Sequence, residues 1–259
     1  MTDDLPEKFS ELSDLLEKQP KERPTEDRTD PNPQNTVQTK IAPDHFLCTK
    51  TPEELLELAK EHRQNATEFF KNGNMQKAAD QYELAIKKLI VAKMHDDYVW
   101  KTRKNSEIDD LTKSDYEQNR ITNVKELLSE LTAKEAEILI EIYTQLATVH
   151  NNLALCFYKK ITDKKVQKPL LKKFYQIIVK NTTRTIELLN ELPDGNQKHV
   201  AILEKAYFRR GTANLKDGQL DEAVSDAKCS KNEGLIKQAE SAMKKYEQDM
   251  SGKLKKMFS

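Results

Sequence analysis

Lys71-Asn72-Gly73-Asn74-Met75-Gln76-Lys77-Ala78-Ala79 and Lys216-Asp217-Gly218-Gln219-Leu220-Asp221-Glu222-Ala223-Val224 are two versions of one phrase. In each, a helix ends on glycine and a second begins at once with an apolar residue followed by a small alanine. On either side of the glycine, Ala66, Ala78 and Ala85 fall at spacings that Gly211, Ala223 and Ser230 repeat. Small residues at these points let two antiparallel helices approach closely, and Phe69 and Tyr82 fill the space between them in the first copy. Repetition of a helix-turn-helix unit predicts an all-α stack in which each unit buries its apolar face only against its neighbours.

Composition agrees with thin layers of helix. Hydrophobic residues make up 37% of the 259 positions and charged residues 33%, lean for a thick core. Basic and acidic residues both total 43, so whole-chain charge offers no argument for nucleic acid or a membrane surface. Cys48, Cys156 and Cys229 are odd in number and widely separated, with neither zinc-ligand spacing nor the density of a disulfide scaffold. The acidic opening Met1-Thr2-Asp3-Asp4 and the lack of an apolar run of about 20 residues point to a cytosolic or nuclear protein with no membrane span.

Seven of the nine prolines lie in the first 52 residues, whereas the first glycine is Gly73. Residues 1–50 therefore read as a disordered, acidic, proline-rich arm, too polar to offset its ordering entropy. Within the arm, Phe9, Leu12, Leu15 and Leu16 have helical spacing, a transient helix or a second partner motif. Order is expected from Thr51-Pro52-Glu53-Glu54, where threonine caps, proline takes the first helical position and Glu54 reaches back. Helices are predicted near 52–72, 75–100, 133–160, 170–191, 197–217, 219–231 and 233–257. Two insertions interrupt the repeat, at about 101–132 and 161–173. The second carries Lys164, Lys165, Lys168, Lys172 and Lys173 around Pro169, a pattern that a solvated turn explains as well as an acidic partner does.

Local chemistry is sparse. His45, His62, His95, His150 and His199 are scattered, and none pairs with a cysteine or carboxylate at metal-ligand spacing. No phosphate-cradling glycine loop or nucleophile elbow is present, so no enzyme, metal or cofactor is expected. The more telling residues are polar ones on the first helices of the hairpins. Lys205 and Arg209 are four apart and share a helical face. Asn152 stands shortly before Ala154, and Arg63 shortly before Ala66. In a stack whose first helices line one groove, three cations and an amide would face a common channel suited to a carboxylate.

The repeat resembles the tetratricopeptide repeat (TPR). Asn152-Leu153-Ala154-Leu155-Cys156 and Lys205-Ala206-Tyr207-Phe208-Arg209-Arg210-Gly211 are similar to the second- and third-repeat inner helices of co-chaperone TPR domains. The likeness is nearest to the large immunophilins and their relatives lacking an isomerase domain. It covers about residues 55–258, with gaps at the insertions, and includes the ending Lys255-Lys256-Met257-Phe258. In that family a carboxylate clamp of Lys, Asn, Asn, Lys and Arg grips the C-terminal Glu-Glu-Val-Asp tail of heat-shock protein 90 or 70 chaperones. The resemblance implies that Arg63 stands at the first lysine and Thr67 at the first asparagine, while Asn152, Lys205 and Arg209 match outright. Arginine is longer and forked where lysine is a point charge, and threonine lacks the amide's two donors.

The fold expected is thus a TPR helical-hairpin solenoid over residues 51–259, three repeats plus a C-terminal capping helix. In that helix Leu235, Ile236, Ala239, Met243 and Tyr246 would cover the third hairpin. The function expected is that of an adaptor or co-chaperone, with the N-terminal arm or the last helix free for a second protein. A scaffold whose groove takes a different peptide is the alternative. A helical nucleic-acid binder is weaker, because the charge is balanced and no aromatics interleave with the lysines.

Overall fold

The computed structural model describes residues 50–93, 124–161 and 166–257. All but the last residue of the expected N-terminal arm, and parts of both insertions, lie outside the described residues. Within them are eight α-helices and no strand: α1 Pro52–Lys71, α2 Met75–Lys93, α3 Val124–Glu130, α4 Ala133–Ile161, α5 Lys168–Asn190, α6 Gln197–Asp217, α7 Leu220–Cys229 and α8 Glu233–Met257.

Each start and stop has a local cause. At α1, Thr51 Oγ1 accepts from the Glu54 amide while the Glu54 carboxylate accepts from the Thr51 amide, so two orphan donors of the first turn are satisfied reciprocally. The same exchange between Thr132 and Glu135 opens α4. The two echoing turns close identically: the Asn74 amide donates to the Phe69 carbonyl and the Gln219 amide to the Asn214 carbonyl, each at 2.9 Å. This cap requires a left-handed residue in between, supplied by Gly73 at φ +76° and Gly218 at φ +85°.

The helices pack in chain order. α1 lies on α2, α2 on α4, α4 on α5, α5 on α6, α6 on α7 and α7 on α8. The first helix of each pair also touches the next first helix, α1 to α4, α4 to α6 and α6 to α8. The small residues that set the repeat are buried at these crossings: Ala66, Ala78, Ala85, Ala223, Gly211 and Ser230. A methyl group at Gly211 would lie 2.9 Å from Cβ of Asp226 and 3.3 Å from Leu235, so only glycine admits α7 and α8 there. The widest stretch of core lies along α4, where Leu139, Ile142, Tyr143, Leu146 and Val149 are fully covered.

Within the first insertion, Val124–Glu130 forms α3 with Val124 and Leu127 buried. Two expectations need correction. The helix expected to run to residue 231 ends at Cys229, because Lys231 takes φ +54° and Asn232 opens α8 by accepting from the Leu235 amide. In α8, Leu235 and Ala239 are buried, but Tyr246 is 54% exposed, as are Met250 and Leu254 in large part. The capping contact is therefore confined to the first turns of α8, because the ten-residue α7 beneath it is too short to cover more.

Candidate functional site

Tyr82 on α2 is the point on which the polar groups converge. Thr67, one turn beyond Arg63 on α1, donates its hydroxyl proton to the Arg63 carbonyl at 2.8 Å. Its oxygen lies 3.4 Å from the Tyr82 hydroxyl. Asn152 on α4 and the Arg63 guanidinium lie near enough to the same hydroxyl to favour its ionised form, but no hydrogen bond joins Asn152 to it. Burial raises the Tyr82 phenol above its usual range, against those favourable neighbours, and keeps it protonated as a donor.

Arg209 enters from α6. Its Nη1 donates to the Asn151 backbone carbonyl at 2.9 Å and to the Asn151 side-chain oxygen. Asn151 is itself buried and donates to the Ile202 carbonyl at 3.3 Å, a second tie between α4 and α6. Burial pulls the Arg209 guanidinium down to about 10, with Tyr158, Cys156 and Tyr82 opposing. It stays fully charged at neutral pH in a partly desolvated setting, where a charge acts more strongly than on an open surface. The buried Cys156 thiol beside it is pushed up to about 12 by desolvation, so it contributes neither charge nor nucleophile.

The five residues singled out from the sequence fare differently. Arg63, Thr67, Asn152 and Arg209 are half-buried and share one neighbourhood around Tyr82. Lys205 is exposed one helical turn before Arg209, and no described contact ties it to the others. Nε of Arg63 is buried with no hydrogen-bond acceptor among the described residues. Such a donor is costly to leave unmet.

Two contributors were not singled out by sequence reasoning. Tyr82 was read only as a filler between helices, and Asn151 was passed over for its neighbour. The doublets Asn151-Asn152 and Arg209-Arg210 carry the signal: consecutive residues on a helix point about 100° apart, so one of each can face a groove while the other faces the core. Arg210 indeed turns the other way. It makes a two-pronged ion pair with the buried Asp226 at 2.9 and 2.8 Å, and a third bond to Thr183 at 3.0 Å. Burial works against its charge, but Asp226 outweighs that and raises it overall.

Among the described residues no group of His, Cys, Asp or Glu is gathered to hold a metal, and no helix is long and apolar enough to cross a membrane. Compared with protein-family models and with curated proteins, the chain matches none.

Proposed function

We propose that this protein is a TPR adaptor whose three hairpins and closing α8 present a groove for an acidic peptide ending in a free carboxylate, as in co-chaperones that dock on heat-shock protein 90 or 70. The observation that carries the reading is the gathering of Arg63, Thr67, Asn152 and Arg209, from three successive first helices, around one phenol beside an unanswered Arg63 N–H. Arg63 and Asn152 would hold the terminal carboxylate by charge-assisted bonds, with Thr67 in support. Lys205 and Arg209 would meet acidic and backbone groups further up the peptide. Each such bond contributes about 1.5–3 kcal/mol when well made, so a few suffice for micromolar affinity after ordering costs.

A second reading has its own support. Arg209 already spends one arm on Asn151, and Lys205 stands apart from the cluster. A groove with two cations turned inward and one outside suits an acidic peptide of different spacing equally well. Titration of the protein with a peptide ending in Glu-Glu-Val-Asp and with its C-terminally amidated form tests both. The adaptor reading expects the free acid to bind at least tenfold tighter, to weaken as salt rises, and to lose binding in Lys205→Glu and Arg209→Glu. Equal binding of the two forms, or binding of neither, refutes it.

A further inference from the structure

The middle hairpin carries a charge pattern that helix stability does not explain. From Lys168 to Ile186, α5 holds five cations, Lys168, Lys172, Lys173, Lys180 and Arg184, and no carboxylate, in a chain whose bases and acids balance at 43 each. Lys168 stands in the first turn, where the macrodipole disfavours a cation, and no acidic residue there offsets it. α5 packs on α4 and α6, with Phe174, Ile178, Thr182 and Leu189 buried. At about 100° per residue the five cations fall on the other side, within about 160° of arc and over about 24 Å of helix. Lys168, Lys172, Lys173 and Lys180 are exposed, with exposed Gln176 among them. Arg184 pairs with Glu187 at 3.0 Å, and that glutamate closes the stripe.

We propose that this face of α5 is a docking surface separate from the groove, and that its partner is an acidic protein segment, a run of aspartates and glutamates. The width of the stripe selects that partner. It is one helix wide: of the other second helices, α2 carries Asp80 and Glu83, and α7 opens with Asp221 and Glu222. A nucleic-acid duplex or a charged lipid surface calls for a broad basic field, whereas a single chain of carboxylates follows a line. An extended chain advances about 3.4 Å per residue, so about seven residues span the stripe. Lysine ammoniums meet carboxylates as point charges without a fixed fork, so the surface reads density of negative charge rather than one sequence. The groove residues Arg63, Thr67, Asn152, Lys205 and Arg209 stand on α1, α4 and α6, so the two surfaces are built from different helices.

The test uses the full-length chain and a fluorescent octaglutamate, acetylated and C-terminally amidated so that it offers the groove no terminal carboxylate. Binding is followed by anisotropy and is expected to weaken as salt rises. Lys172→Glu with Lys180→Glu should weaken it about 10-fold, and Lys172→Gln with Lys180→Gln about 3-fold, as two exposed pairs are reversed or removed. Both lysines are exposed, so folding is retained, and unchanged helical circular dichroism checks it. Lys205→Glu with Arg209→Glu should leave octaglutamate binding unchanged. Tetraglutamate, which covers half the stripe, should bind more weakly, and lengthening to sixteen residues should add only the gain from extra registers. No binding to wild type, undiminished binding in the Lys172 and Lys180 variants, or loss in the groove variant instead overturns the surface. Octathymidylate and phosphatidylserine vesicles are the rival polyanions. If either binds more tightly than octaglutamate and loses binding in Lys172→Glu with Lys180→Glu, the acidic-protein partner is overturned. Since the probe has no free carboxyl end, its outcome is separate from that of the peptides ending in Glu-Glu-Val-Asp.

Discussion

Burial of a neutral His150 is predicted to make this protein less stable at mildly acidic pH. His150 lies on α4 with Nδ1 2.8 Å from the Asn181 side-chain oxygen. The Asn181 amide nitrogen donates to the Ile177 carbonyl at 2.9 Å, which fixes oxygen as the atom facing the ring. The imidazole therefore carries its proton on Nδ1 and donates it. Desolvation, with the nearby Arg184 and Lys180, pushes it down to about 4 despite that hydrogen bond. The unfolded chain takes up a proton near pH 6.5. Between these values the unfolded state binds more protons, so stability falls as the pH falls. At 1.36 kcal/mol per pH unit the full gap is worth about 3 kcal/mol, of which about 2 is lost by pH 5. Urea titrations at pH 7.5 and 5.0 should show wild type losing about 2 kcal/mol more than His150→Gln, a midpoint difference of about 1 M. His199, lowered mainly by its own burial, is common to both proteins and cancels. Equal losses in the two proteins would mean that the ring is not held neutral.

The Arg210–Asp226 pair should be severe to break and mild to replace. Asp226→Ala leaves a half-buried guanidinium with only the Thr183 hydroxyl and is expected to cost about 3 kcal/mol in urea unfolding, whereas Arg210→Met with Asp226→Leu should recover part of it, the buried Asn214 amide still lacking its acceptor. Along α8, Leu235→Ala is expected to cost about 2–4 kcal/mol because it opens space beneath α6 and α7, while Tyr246→Ser should change stability by less than about 0.5 kcal/mol. Comparable losses at 235 and 246 would show that the capping surface extends further along α8 than the packing indicates.

Helix boundaries were legible because they depend on interactions within a few residues. Thr51 and Glu54, or the glycine at 73 and at 218, need only their neighbours to define a cap, and the expected start at 52 and ends near 72 and 217 follow from them. The short α3 was not legible, because its two apolar anchors, Val124 and Leu127, make too brief a pattern to decide between helix and loop against a polar background. Tyr246 was misplaced because apolar spacing says which face of a helix could be buried, but not how long its neighbour is.

The same division runs through the candidate site. The order of hairpins, the small residues at their crossings and the identity of the cations were written in the linear pattern, since each depends on spacing along a single helix. Which of those cations share a neighbourhood was decided only by packing across helices. Arg209 and Arg210 are adjacent in sequence, yet one closes on Asn151 of α4 and the other on Asp226 of α7. Tyr82 of α2 meets Thr67 of α1 only because the hairpin folds the two helices together. A residue's neighbours along the chain set its helical face, but the partner that face meets is fixed by residues far away in sequence.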